Sequence, residues 1–315
     1  MTSILTITLN PTVDLSIETP EVAPERKLRC TRPLTDPGGG GLNVSRAIAA
    51  LGGNSTAFVA LGGTTGDRVM RLLAEAGIAV FPFPAPGETR MSLTATDQST
   101  GAQYRFVMPG PDWGARDVAK ALSRIARAAP EGGIVVLSGS QPPGVPEDFP
   151  ARLATKMART KARLFLDTSG EALHQLMESE AQPADVLRMD ELEAEGLAGR
   201  KLPERRDSAD FAQDLVRRGL AHAVIVARGA DGNVLATKDA RWFAVAPKVD
   251  VVSKVGAGDS FVGAFTLALS RGKTFREALQ QGAAGAAAAV TTPATDLCSA
   301  AMVRRLLPHC PVEPV

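Results

Sequence analysis

Apolar spacing along the chain switches repeatedly between period two and period 3.6. Residues 4–9 (ILTITL) interleave aliphatics with threonine and stop at Asn10-Pro11, which predicts a strand and then a turn. Asp14, in VDLSIE, falls on a second short extended stretch. Residues 44–51 have helical spacing and close at Gly52-Gly53. Residues 56–61 read as a strand, 67–76 as an amphipathic helix capped by Gly77, and 78–83 as a strand. Residues 89–96 and 101–107 alternate strictly around a polar turn. They predict a hairpin with one wet and one buried face, part of a sheet outside the main one. Further on, helices are expected at 115–129, 149–160, 171–178, 210–218 and the alanine-rich 275–291. Strands are expected at 133–137, 162–166, 186–187, 223–226, 234–236 and 241–245. Val251-Val252 reads as the end of a strand before a glycine turn and another helix. Continuous apolar strands alternating with helices predict an α/β fold whose mostly parallel sheet is covered on both faces. Ligands of such sheets sit beyond the carboxyl ends of the strands.

Composition narrows this picture. The chain has 315 residues, 44% of them hydrophobic, enough for a sizeable core. With 35 basic and 34 acidic residues and few aromatics, nothing favours nucleic acid or a membrane surface as partner. The opening MTSILTITLNP lacks a basic region and turns polar too soon for a signal peptide. Cys30, Cys298 and Cys310 are odd in number and widely spaced, which suits reduced thiols and a cytoplasmic location. The three histidines are isolated, so no metal site is expected from them.

Candidate chemistry lies in three places. In SKVGAGDSFVG (253–263), glycines at a helix start suit a closely approaching anion, and Asp259 on the first turn can take a proton from a hydroxyl. In DPGGGGLNVSRAIAALGG (36–53), four glycines, Gly38 to Gly41, precede Asn43 and a helix, with no Walker Gly-Lys-Ser/Thr after them. The hairpin carries Arg90 and Arg105, suited to clamping a phosphate. A dinucleotide-binding fingerprint is disfavoured, because GAGDSF lacks the third glycine and lies far from the first strand.

The segments GGGGLNVSRAIAALGG and VGAGDSFVGAF carry both signatures of the ribokinase-like, or PfkB, carbohydrate kinases, and over essentially its whole length the chain resembles that family. Shorter matches, among them QYRFVMPG, SGSQPPG, DTSGEAL and the C-terminal TDLC, point the same way. The resemblance implies a single ribokinase-like domain over 1–315, a Rossmann-like three-layer sandwich, with a small β-sheet lid from about 12–36 and 88–108. It implies ATP- and Mg²⁺-dependent phosphorylation of a phosphorylated ketohexose, fructose 6-phosphate to the 1,6-bisphosphate first. Fructose 1-phosphate or tagatose 6-phosphate, or a catalytically weak phosphosugar-binding role, are the alternatives. Asp259 is then the base, and the amides of Gly256, Ala257 and Gly258 the anion hole. Asp14, Gly39, Gly40 and Asn43 hold sugar hydroxyls, and Arg90 and Arg105 grip the sugar's phosphate. Lys27 reaches across a homodimer formed through the lid.

The resemblance also predicts the nucleotide side: Arg188, Asp190, Ala227, Gly229, Gly232 and Lys254, with Glu193 and Asp190 serving Mg²⁺ through water. Here the chain departs from the family pattern. Arg188-Met189-Asp190 stands for the usual Lys-Pro-Asn, Ala227-Arg228 for Ser-Leu, and Lys254 for threonine. Three readings follow: Arg228 and Lys254, near the nucleotide, balance the charge of Asp190; the phosphoryl donor is shifted or the enzyme slow; or the chain binds phosphosugar without turning it over.

Overall fold

The computed structural model describes residues 1–293 and 296–315; Thr295, the first residue of TDLC, lies outside the described residues. The chain runs through β1 (Ile4–Thr8), β2 (Thr12–Thr19), β3 (Leu34–Gly38), α1 (Gly40–Ala50), β4 (Thr56–Leu61), α2 (Gly63–Glu75) and β5 (Ala79–Pro84). The hairpin β6 (Arg90–Asp97) and β7 (Gln103–Val107) follows. Strand and helix then alternate: α3 (Ala115–Ala128), β8 (Ile134–Ser138), α4 (Phe149–Met157), β9 (Arg163–Asp167), α5 (Glu171–Glu178), β10 (Ala184–Asp190), α6 (Glu191–Ala198), α7 (Arg205–Arg217) and β11 (Ala221–Ala227). The chain closes with β12 (Gly232–Thr237), β13 (Arg241–Val245), α8 (Ala257–Ser270), α9 (Phe275–Ala289), α10 (Ala300–Leu306) and β14 (Val312–Pro314).

Among the described residues these strands form two sheets. The larger has the order β14-β13-β12-β11-β10-β9-β8-β1-β4-β5, parallel from β5 to β11 and antiparallel beyond. The apolar strand runs split by parity, as a twice-covered sheet requires. Val135, Leu137, Leu164, Leu166, Leu187 and Met189 pack under α3 to α7. Ile134, Val136, Phe165, Val186 and Ile225 pack under α1, α8, α9 and α10. The smaller sheet, β3-β2-β6-β7, pairs β2 with β6 in parallel and flanks both with antiparallel strands. No helix of the described residues is long and apolar enough to cross a membrane.

Three sequence expectations need correction. Helix α1 starts at Gly40, so Gly40, Gly41 and Asn43 are helical and do not precede the helix. These glycines let the helix start press onto the large sheet. A Cβ on Gly41 would strike the Ile7 carbonyl, and one on Gly40 would lie 2.6 Å from Gly139 N and Ser138 Oγ. Val251 and Val252 belong to no strand and are exposed, because β14 already pairs with β13. Their segment is tied instead to the end of α9 by Val252 N–H donating to Val290 O, 2.8 Å. Finally, β7 is exposed at every residue, so burial in the hairpin falls on β6 alone, at Ala95 and Asp97.

Helices α1 and α8 cross at Gly263, where an added Cβ would lie 2.7 Å from Ala47 Cβ and 3.1 Å from Val44 O. Overpacking of this kind costs about 1–3 kcal/mol. Gly263→Ala is therefore expected to lower the urea midpoint at unchanged slope; an unchanged midpoint would show that this crossing has slack.

Candidate functional site

Parallel pairing brings the C-terminal ends of β1, β8, β9, β10 and β11 to one edge of the larger sheet, and a cavity of about 380 Å³ lies between the smaller sheet and the starts of α1 and α8. Asp14, Gly39, Asn43, Arg90, Arg105, Lys254, Gly256 and Asp259 all line this cavity, joined by Thr12, Ser16 and Ser92. The structure thus gathers the sugar-side candidates, with two exceptions. Lys27 sits exposed on the β2–β3 connection and is not among the cavity's lining residues. Gly40 is fixed by its packing on Gly139, as described above. Lys254, expected with the nucleotide, lines the same cavity as Asp14 and Arg90.

Gly256 is the N-cap of α8, with φ of +74°, a left-handed conformation that glycine adopts without penalty. The helix therefore opens with Ala257, Gly258 and Asp259, and its unpaired N–H groups can cradle an anion. Asn43 Nδ2 donates to Asp259 Oδ2, 2.9 Å. Burial and the Asp167 charge push the Asp259 carboxyl up to about 6, while Asn43, Arg188 and Arg46 pull it down. A carboxyl with that value is charged at neutral pH yet a far better proton acceptor than an exposed aspartate.

Asp14 sits on β2 opposite Asp36, and a Cβ on Gly38 would collide with its carboxylate, so that glycine makes room for it. Burial raises the Asp14 pKa, against the lowering pull of Arg90, Thr12 and Arg105. Arg90 is held by Asn10 O (3.3 Å), Met108 O (3.3 Å) and Ser92 Oγ (3.4 Å), so its fork is fixed before any ligand arrives.

On the other side of α8, Arg188 donates to Asp167 Oδ1 (2.7 Å), and Ser138 Oγ donates to Asp167 Oδ2 (2.9 Å). The Arg188 guanidinium lies 5.5 Å from the Phe261 ring centroid, and a Cβ on Gly258 would be 3.3 Å from its terminal nitrogen. Arg188 thus sits beside the anion-binding turn. Burial works against its charge, but pairing with Asp167, aided by Asp259 and Glu193, raises its pKa above the usual value. Asp190 caps α6: its Oδ1 accepts from Glu193 N–H (2.8 Å), and Glu193 Oε2 accepts from Asp190 N–H (2.7 Å). Burial raises the Glu193 pKa, reinforced by the charges of Asp190 and Asp167. Ala227 pairs in register with Asp190, and Gly229 and Gly232 have φ of +56° and +140°.

Arg228 does not balance Asp190. It is buried, salt-bridged to Glu191 (3.2 Å) and Asp231 (3.2 Å), and it donates to Leu202 O and Pro203 O, both 2.8 Å. Its charge is consumed in bracing the α6–α7 connection. Two residues escaped the sequence reading. Asp167, in DTSG at the end of β9, carried a positional signal there; Arg46, inside an ordinary helical repeat, carried none.

Comparison with known proteins agrees with this geometry. The pattern of the pfkB family carbohydrate kinases matches residues 1–302. The chain belongs to that family. It is 38% identical over 299 residues to ATP-dependent 6-phosphofructokinase isozyme 2 of Escherichia coli, covering 95% of this chain and 96% of that protein. It is 32% identical over 309 residues to the 1-phosphofructokinase of Bacillus subtilis, covering 98% and 99%. The crystal structure of phosphofructokinase-2 from E. coli in complex with fructose-6-phosphate superposes with a TM-score of 0.90 at 35% identity, covering 98% of this chain and 99% of that one. The fold is accordingly ribokinase-like, and the protein is a phosphotransferase acting on an alcohol group.

For this carbohydrate kinase the raised Asp259 carboxyl has a stability signature. The folded protein holds that proton up to about pH 6, the unfolded chain only to 3.8. Between those values the folded state binds more protons, so stability falls as pH rises, by about 1.4 kcal/mol per unit. The D259N variant lacks this loss. Its stability advantage is expected to grow from near zero below pH 4 to about 3 kcal/mol at pH 8 in urea titrations. A constant difference across that range would mean that Asp259 titrates normally.

Proposed function

We propose that this kinase transfers the γ-phosphoryl group of ATP to a phosphorylated ketohexose, converting fructose 6-phosphate to fructose 1,6-bisphosphate. The observation that carries this reading is the placement of Asp259, Asp14, Arg90 and Arg105 around one cavity. It places a proton acceptor and a pair of guanidiniums on the walls of the same cavity. In this reading Asp14, Gly39 and Asn43 orient the sugar hydroxyls, and Arg90 and Arg105 hold the phosphate it already bears. Asp259 accepts the hydroxyl proton as the oxygen attacks phosphorus and ADP departs. Because Oδ2 is engaged by Asn43, Oδ1 is the accepting oxygen. The N–H groups of Gly256, Ala257 and Gly258 then carry the charge on the transferring group.

The ATP phosphates fall to Arg188, the Asp190–Glu193 turn, Ala227, Gly229 and Gly232. Mg²⁺ suits this donor set. It keeps several waters and needs only one or two carboxylates beside the substrate's phosphates. Asp190 and Glu193 each retain one oxygen beyond their mutual cap, and they sit in acidic surroundings that a cation would relieve. Bound there, Mg²⁺ would neutralise phosphate charge.

The smaller sheet acts as a lid that excludes water. It also serves as the surface of a homodimer, across which Lys27 reaches the partner's sugar phosphate. Met91, Tyr104 and Phe106 are exposed on the face of its strands turned away from the cavity, an apolar face that a second copy would cover. The reaction takes place in the cytoplasm and involves neither nucleic acid nor membrane.

The test is ADP release with ATP and Mg²⁺ over fructose 6-phosphate, fructose 1-phosphate, tagatose 6-phosphate and free fructose. Fructose 6-phosphate is expected to give the highest kcat/KM, and D259N is expected to lose turnover while still binding the sugar phosphate. Release no greater than the sugar-free blank throughout would reject the kinase reading. Preference for fructose 1-phosphate would move it to the activity for which the B. subtilis relative is named. The R90A variant is expected to raise KM for phosphorylated sugars at least tenfold, since a buried guanidinium–phosphate contact contributes about 1.5–3 kcal/mol. An equal rise for free fructose would show that Arg90 does not read the phosphate.

A further inference from the structure

Asn43 and Arg46 lie one turn apart on α1, and the Arg46 guanidinium spans three acceptors. One terminal nitrogen is 3.2 Å from Asn43 Oδ1 and 3.3 Å from the Pro37 carbonyl; the other is 3.4 Å from Asp36 Oδ1. Asn43 in turn donates from Nδ2 to Asp259 Oδ2 at 2.9 Å. A carboxamide has one accepting and one donating end, whereas a guanidinium only donates and a carboxylate only accepts. Were the amide reversed, its NH₂ would face the guanidinium and its oxygen would face the Asp259 carboxylate. Both contacts would be repulsive. The order Arg46, Asn43, Asp259 thus permits one amide orientation only.

We propose that Arg46 is a positioning residue for phosphoryl transfer: it fixes the Asn43 amide so that Asn43 donates to Asp259 Oδ2 and leaves Oδ1 to take the substrate proton. The proposal rests on the reading of Asp259 as the base. Pro37 and Asp36 hold the other corners of the guanidinium, and both lie on β3, whose partner β2 carries Asp14. The sugar-holding sheet and the base therefore share one anchor. A lysine has a single nitrogen and cannot occupy all three corners at once.

The other charged groups around Asp259 are Asp167 from β9, Arg188 from β10 and Lys254 in the same cavity. Of these, Asp167 opposes the carboxylate, and Arg188, like Arg46, favours it. Loss of the Arg46 charge and of the ordered amide should therefore move the Asp259 titration upward.

Arg46→Gln and Arg46→Lys test this with two readouts. In turnover, R46Q is expected to lower kcat about tenfold, a fraction of what a general base supplies, with KM for ATP unchanged. The acid limb of its kcat–pH profile should move up by about half a unit, within the range a neighbouring charge produces. R46K should recover part of kcat and return the limb toward its original place. The second readout needs no activity: the pH at which the D259N stability difference levels off, which the folded-state Asp259 sets, is measured with Arg46 present and replaced. It should rise by about the same half unit in R46Q. If R46Q proves too unstable to measure, R46K carries the comparison alone, with a smaller upward shift. Unchanged kcat and an unchanged titration in either variant overturn the proposal. So does a kcat loss that R46K fails to relieve while the titration stays in place. Should no sugar support ADP release in the parent enzyme, the functional reading fails by itself, and the stability titration still decides whether Arg46 sets Asp259.

Discussion

Two carboxylates and one guanidinium, largely withdrawn from water beside an open cavity, set the terms for the rest of this protein. Asp259 and Asp167 come together at the ends of different elements, and Arg188 lies between them, paired at 2.7 Å with Asp167 and stacked on Phe261. Removing one partner from a buried pair costs about 3–5 kcal/mol, because the other charge is left unmatched. That constraint ties β9, β10 and α8 together. It also decides how the acid is tuned. Since Asp167 already holds the nearest guanidinium, Asp259 receives only part of that charge's benefit, and burial prevails. A carboxyl that would be a poor base on the surface becomes a serviceable one through an interaction it does not own.

Backbone proximity is the second constraint. Two helices bear on the site through three positions where no side chain fits: Gly40 and Gly41 against β1 and β8, and Gly263 against α1. Asn43 reaches Asp259 because α1 and α8 can approach this closely. Gly38 does similar work in the smaller sheet, where it makes room for the Asp14 carboxylate. The glycine-rich segment is thus less a flexible loop than a set of close contacts. Its first member serves the sugar side, and its last two serve the packing that carries the base.

Much of this was legible in the sequence. Strands such as β4 and helices such as α5 have strong periodicity and unambiguous ends, and the GAGD turn announces its helix and its carboxylate together. Val251-Val252 misled, because β-branched residues favour strands only where an edge is free, and β14 takes that edge from far along the chain. The start of α1 was missed for a related reason: glycine disfavours helix interiors, and only tertiary contact with β1 overrides that preference. Arg228 shows the limit most clearly. Its neighbourhood to the nucleotide segment was readable, but its partners, Leu202 and Pro203, lie more than twenty residues away.

The departures from the family pattern gain a physical ordering from this. Asparagine and aspartate cap helices about equally well, so Asp190 keeps the local fold whichever of the two stands there. The charge it adds is therefore not required by α6 and falls on whatever binds beside it. Arg228 is spoken for by Glu191 and Asp231, and Lys254 faces the sugar cavity, so neither offsets that charge. Arg188 remains as the cation nearest the anion-binding turn, and its planar fork is pinned by Asp167 in a way a lysine would not be. On the proposed assignment, a site with an extra acid at the nucleotide turn and a guanidinium pinned beside the anion-binding turn depends more on a bound cation to admit ATP. It also depends less on side-chain rearrangement once the nucleotide is in place.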